Sequence, residues 1–119
     1  MIAEKIKKLL PSEWPTTIGD LPSPNAEAIG ILEYDGAAST EYFGDQRGSS
    51  VFNPIVKIVF RGKSYPELRG RAEQTRSILH RYHDADILSI LIVGSPVYLG
   101  RNEQKLHEFQ IVFKIQVKE

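Results

Sequence analysis

His80, His83, Asp84 and Asp86 are the one group of side chains whose types and spacing match metal chemistry. Two histidines three apart share a helix face, and carboxylates add oxygen ligands for a divalent ion, as in a metal-dependent hydrolase. The pattern lacks a fixed fourth ligand and an oriented outer set of hydrogen-bond partners. Histidines at a helix end are also accounted for by the helix dipole and by exposure. Glu33 with Asp35, and Asp84 with Asp86, are the candidate carboxylate pairs, but neighbours two apart on a chain do not by themselves share a site. The sequence has no GxxxxGKS phosphate loop, GxSxG elbow, HExxH helix or GxGxxG turn. Without cysteine it has no thiolate ligand, thiol nucleophile or disulfide. The residues therefore predict no enzyme, no cofactor and no resident metal, with a hydrolase built on the His/Asp group as one competing reading.

Composition narrows the class. Fifteen Lys plus Arg balance fifteen Asp plus Glu over 119 residues, so no whole-molecule field concentrates nucleic acid or anionic membrane. A free-standing DNA-binding protein is disfavoured. No run reaches the roughly 20 apolar residues of a membrane helix, and the amino terminus lacks the apolar core of a signal peptide. The expectation is a soluble protein made in the cytoplasm, folded as one domain over residues 1–119.

The positioning elements are read from periodicity. Ile2, Ile6, Leu9 and Leu10 oppose Glu4, Lys5, Lys7 and Lys8, an amphipathic helix that stops at Pro11. The proline-rich stretch from Ser12 to Asn25 predicts an extended, turn-rich connector pinned to the core by Trp14. Ala28 to Tyr34 predicts a first strand. Asp35 to Ser50, rich in glycine and poor in aliphatic residues, predicts a long mobile loop with Tyr42 and Phe43 at its centre. Val51 to Arg61 is the second strand, with Val56, Ile58 and Phe60 on one face and Asn53-Pro54 near its start.

Ser64-Tyr65-Pro66-Glu67 forms a capping box that opens a helix running to about Tyr82. Its buried stripe is Tyr65, Leu68, Ala72, Thr75, Ile78, Leu79 and Tyr82, and its outer face carries Arg69, Glu73, Arg76 and His80. Two apolar runs follow, Ile87 to Val93 and Leu106 to Val117, separated by a break at Gly100 to Lys105. In the second, Phe109, Ile111, Phe113, Ile115 and Val117 alternate with Glu108, Gln110, Val112, Lys114 and Gln116. Period two marks a strand with one buried face, and the two runs read as a long antiparallel hairpin. The fold expected is α+β in the order α-β-β-α-β-β: a mainly antiparallel four-stranded sheet, helices packed on one face, and a long C-terminal hairpin.

With Arg61-Gly62-Lys63-Ser64-Tyr65 leading into the helix and the run from Gly94 to Glu103 preceding the strand His107 to Lys118, the chain resembles a known family. These are the minor capsid and tail terminator proteins of bacteriophages with long, non-contractile tails, and of their prophages. The resemblance covers Val51 to Glu119, and the amino-terminal third in outline. It implies a structural virion protein without cofactor. Such a protein forms a ring, usually of six copies, on the head-proximal end of the tail tube, ends tube polymerisation and supplies the head–tail joining surface. The implied partners are other copies of itself, the tail tube protein and the head-completion or connector protein, with DNA passing through the lumen unread. Synthesis would be in the bacterial host cytoplasm.

A ring subunit needs two unlike lateral surfaces. The candidates are Arg69, Glu73, Arg76 and His80 on the helix, and Glu108, Gln110, Lys114 and Gln116 on the hairpin. Axial contacts to tube and connector fall to the loop residues Glu41, Tyr42, Phe43, Asp45, Gln46 and Arg47. The other competing reading is a small cytoplasmic binding or regulatory domain, which predicts a monomer or dimer with an apolar pocket.

Overall fold

The computed structural model describes residues 2–19, 27–34, 51–52, 54–85 and 87–118. The elements are α1 (Ile2–Leu9), β1 (Thr16–Ile18), β2 (Ala28–Tyr34), β3 (Val51–Phe52), β4 (Ile55–Gly62), α2 (Tyr65–Leu79), β5 (Ile87–Ile92), β6 (Val97–Arg101) and β7 (His107–Lys118). They build one seven-stranded sheet. β2, β4 and β7 are antiparallel neighbours, with Ile31 beside Ile58 and Ile58 beside Ile111. Because partners in register share a face, Ile29, Ile31, Val56, Ile58, Phe60, Phe109, Ile111, Phe113 and Ile115 form a single buried surface. Both helices cover it. Ala3, Ile6 and Leu10 of the α1 segment and Leu68, Ala72, Thr75 and Leu79 of α2 are buried against it. Thr75 satisfies its hydroxyl by donating to the Arg71 carbonyl at 2.8 Å.

The α+β class, the antiparallel sheet and the helices on one face agree with the sequence. The expected order α-β-β-α-β-β and the count of four strands do not. Thr16–Ile18, within the stretch expected to be an extended, turn-rich connector, is a strand parallel to β2, with Thr16 beside Ile29. Pro15 immediately precedes this segment and offers only its carbonyl, which accepts from the Ile29 N–H at 2.9 Å, and two threonines and an isoleucine suit an edge position. Trp14 just before it is buried, as expected, with the Arg71 guanidinium 5.7 Å above its ring.

The remaining extra strands are interruptions of strands already foreseen. Phe52 pairs with Val117 and Ile55 with Lys114, and between them the Pro54 carbonyl accepts from the Ile115 N–H at 3.0 Å. β3 and β4 therefore continue one strand in unbroken register. Pro54 lacks a donor but keeps its acceptor in the ladder.

β5 pairs with the C-terminal half of β7 and β6 with the N-terminal half, so the long hairpin is present with its outer strand in two pieces. From the pair Ile92–Phe113 to the pair Val97–Gln110 the outer strand advances five residues and β7 only three. The surplus is taken up around Gly94, whose φ is +75°. The hairpin turn is tighter than the expected break at Gly100 to Lys105, because Gly100 and Arg101 belong to β6. Asn102 closes it, its side-chain oxygen accepting from the N–H groups of Gln104 at 2.8 Å and Leu106 at 3.0 Å.

The helix α2 opens as the capping box requires, Ser64 Oγ accepting from Glu67 N at 3.3 Å. It ends at Leu79 rather than near Tyr82, because Arg81 adopts a φ of 69° and turns its N–H onto the Ile90 carbonyl at 2.6 Å. Asp35 to Ser50, expected as a mobile loop, lies outside the described residues.

Candidate interaction surfaces

The helix layer and the opposite face of the sheet present the two candidate surfaces. On α2, Arg69, Glu73 and Arg76 are exposed. Arg76 Nε donates to Glu73 at 3.2 Å, a pair with both side chains nearly half exposed. Such a pair is worth about 0.3–0.5 kcal/mol and is readily exchanged for another partner. His80 is placed differently. It is the C-cap residue, half-buried, and its Nδ1 accepts from the Ile92 N–H at 3.2 Å. Between Tyr65, Pro66, Arg69, Gly70 and Glu73 the outer surface of α2 is indented into a shallow, mainly apolar groove. Gly70 leaves it open, since a Cβ built there meets nothing within 4 Å.

The floor of the groove is continuous with an aromatic cluster that ties α2 to the hairpin. Tyr65 stands edge-on to Tyr98 with ring centroids 5.1 Å apart and lies 5.2 Å from Phe109. The Tyr98 hydroxyl and His107 Nδ1 are hydrogen bonded at 2.8 Å.

On the other face of the sheet, the even positions of β7 do not behave alike. Lys114 and Gln116 are exposed, Gln110 is half-buried, and Gln116 accepts from Ser89 Oγ at 3.2 Å. Glu108 is bound to Arg61 Nε at 3.0 Å, and Arg61 is 8% exposed. Because Arg61 is nearly out of contact with water, losing this partner costs more than losing the exposed helix pair, so Glu108 is committed to the fold. Beside these residues the structure reveals a strip with no counterpart among the sequence candidates. Leu91 is in register with Lys114, Val97 with Gln110, and Val93 donates its N–H to the Val112 carbonyl, which places all three on the face away from the helices. They are 46%, 51% and 54% exposed for Leu91, Val97 and Val93 respectively. The run Ile87 to Val93 carries the signal: it is apolar at nearly every position, whereas a strand with one wetted face alternates, as β7 does.

The residues with metal or acid–base potential have structural partners. Asp84 accepts from the Ile87 N–H at 2.8 Å and from the Tyr82 hydroxyl at 2.9 Å, and meets Lys5 Nζ at 2.7 Å. The hydrogen bond to Asp84 raises the Tyr82 pKa above its ordinary value, with burial and the Asp84 charge adding to the effect. Glu33 caps α1, accepting from the Ala3 N–H at 3.0 Å. His83 is exposed. Asp35 and Asp86 lie outside the described residues, as do Glu41, Tyr42, Phe43, Asp45, Gln46 and Arg47. Among the described residues no three His, Asp or Glu side chains are grouped to hold a metal ion, and no helix is long and apolar enough to cross a membrane.

The arrangement is that of two unlike surfaces on opposite sides of a two-layer domain. No individually curated protein matches the chain in sequence. The sequence model of bacteriophage tail terminator proteins matches residues 5–119, essentially the whole length, and the chain belongs to that family of phage tail structural proteins.

Proposed function

We propose that this chain caps the head-proximal end of the phage tail tube as a homomeric ring, six copies in the form the family resemblance implies. There it ends tube polymerisation and presents the surface that joins the head. The observation that carries the reading, beside membership of the family, is the pair of dissimilar surfaces on opposite sides of the domain. One is the mixed-charge, grooved outer face of α2, and the other is the hairpin face bearing Lys114 and the exposed aliphatics. Unlike surfaces associate head to tail, and such contacts close into a ring when the rotation per subunit divides a full turn.

Tail tube and head-completion proteins are the axial partners, and the segment containing Glu41, Tyr42, Phe43, Asp45, Gln46 and Arg47 supplies that contact on the strength of its sequence. The balanced charge suits a lumen that DNA crosses without being held, since each phosphate neutralised by Lys or Arg adds to retention.

The test is tube polymerisation followed by electron microscopy, with and without the purified chain. Arrested elongation, with a ring at one tube end, is the expected result. Tubes that elongate unchanged, with bare ends, would refute the reading.

A further inference from the structure

We infer that the aliphatic strip Leu91, Val93 and Val97 is covered by helix α2 of a second copy of this chain, seated through the groove at Gly70. The inference rests on the ring reading and names the contact that would build it.

The first argument is what the sheet leaves bare. An antiparallel sheet tolerates water on one face when that face is polar, as β7 is at Lys114 and Gln116. At β5 and β6 the same face is aliphatic, and exposed aliphatics gathered side by side, unlike ones scattered singly, are a mark of a docking surface. In two-layer domains the element that covers a sheet face is a helix, and the two described helices both lie on the other side.

The second argument is Gly70. Glycine inside an exposed helix weakens it, and nothing in the fold requires one here, because an added Cβ meets no atom within 4 Å. Its missing side chain serves the groove. Between the Tyr65 and Pro66 rings and the stems of Arg69 and Glu73 it leaves a concave, apolar seat matched in character to the strip. The third is charge. Lys114 stands in register beside Leu91 on the strip, and Glu73 stands on the rim of the groove, on the other side of Gly70 from Arg69; its exposed pair with Arg76 is weak enough for Lys114 of the seated copy to replace. Groove and strip lie on opposite sides of the domain, so the contact is heterologous and each copy uses both surfaces once.

Two single variants separate the surfaces. Gly70→Met fills the groove with a side chain that has open space in the monomer, and Val93→Asp places a charge on the strip, with Leu91→Asp as its replacement should Val93→Asp not fold. Sedimentation velocity across concentration, alone and with tail tubes present, measures self-association, and circular dichroism confirms folding. Each variant is expected to weaken self-association by at least about tenfold, as for a substitution at an interface centre.

Mixing the two is the decisive arm. Gly70→Met retains its strip and Val93→Asp its groove, so the mixture is expected to form a heterodimer and nothing larger. A folded Gly70→Met chain that associates as the parent does, or a mixture that stays monomeric, overturns the inference. If the parent chain forms rings and both variants do too, this contact is wrong and the ring reading stands. If the parent neither self-associates nor binds tube ends, both fall.

Discussion

Alanine substitution at two glycines, Gly70 and Gly62, is expected to move stability in opposite directions. Gly70 lies inside α2 on its exposed side, with nothing within 4 Å of an added Cβ. Gly70→Ala therefore changes no contact and acts through helix propensity and the reduced freedom of the unfolded chain, a gain of about 1 kcal/mol. With about 2.1 cal/mol/K of unfolding entropy per residue, a 119-residue chain shifts its Tm by about 4 °C per kcal/mol.

Gly62 ends β4 under the start of α2. A Cβ there would stand 3.0 Å from Glu27 Oε1, 3.1 Å from Leu68 Cδ2 and 3.3 Å from Leu68 Cγ. Glu27 is exposed and swings away, but Leu68 is 2% exposed and held by the core. Overpacking of this kind costs about 1–3 kcal/mol, against an entropic gain of about 0.5–1 kcal/mol. Gly62→Ala is expected to lower stability by about 1 kcal/mol and the Tm by about 4 °C. Urea unfolding with a thermal melt on each variant measures both, with an unchanged m-value showing that the native and denatured states keep their compactness. Shifts of the same sign at the two positions would refute the packing described around Leu68 or the openness of the helix surface at Gly70.

Phe113→Ala removes a side chain that is fully buried between Val56 and Ile92 in the sheet register, and is expected to cost about 3–5 kcal/mol. Lys114→Glu and Gln110→Glu, on the opposite face, should stay within about 0.5 kcal/mol of the parent while impairing assembly. Equal stability losses in the two sets would mean that the faces of β7 have been exchanged. The raised Tyr82 pKa gives a pH signature. The folded value lies above the ordinary 10.0, so the contribution is complete below that pH and is lost as pH rises through the folded pKa. Tyr82→Phe is therefore expected to flatten the alkaline fall of Tm, and a fall identical to the parent's would show that the Asp84 hydrogen bond does not stabilise the fold.

The parts of this fold legible from sequence are those where one residue's environment dictates its type. Phe109 to Ile115 alternate because one side of β7 meets the core, and Ser64 with Glu67 announces a helix start through local hydrogen bonds. Parallel pairing of Thr16–Ile18 with β2 has no local signature in three residues between prolines, because it depends on a partner twelve or more positions away. β6 was hidden for the same reason: Gly100 was assigned to the break between the two runs, although here it accommodates a bulge in a strand held by β7.

Of the candidate interaction surfaces, the exposure of Arg69, Glu73 and Arg76 on the outer face of α2 was readable from their spacing. Two candidates were not separable from their neighbours by type alone. His80 is engaged by a backbone amide and Glu108 by a buried arginine, both through residues distant in sequence. The strip at Leu91, Val93 and Val97 left only an indirect trace, the missing alternation of Ile87 to Val93, because an exposed aliphatic and a buried one are the same letter.

The turn after α2 carries a consequence for the form that association takes. Arg81 N–H engages the Ile90 carbonyl and His80 engages the Ile92 N–H, so outward-facing backbone groups of β5 are already bonded within the chain. Along the same border, β6 is interrupted by a bulge and by Gly100 at a φ of +97°, a backbone too irregular to template a flat neighbour. Strand-by-strand extension, the route by which sheets grow into fibrils of indefinite length, is blocked there. At that border association is left to side-chain surfaces, whose geometry sets an angle between successive copies, and a fixed angle is what separates an assembly of definite number from one without end.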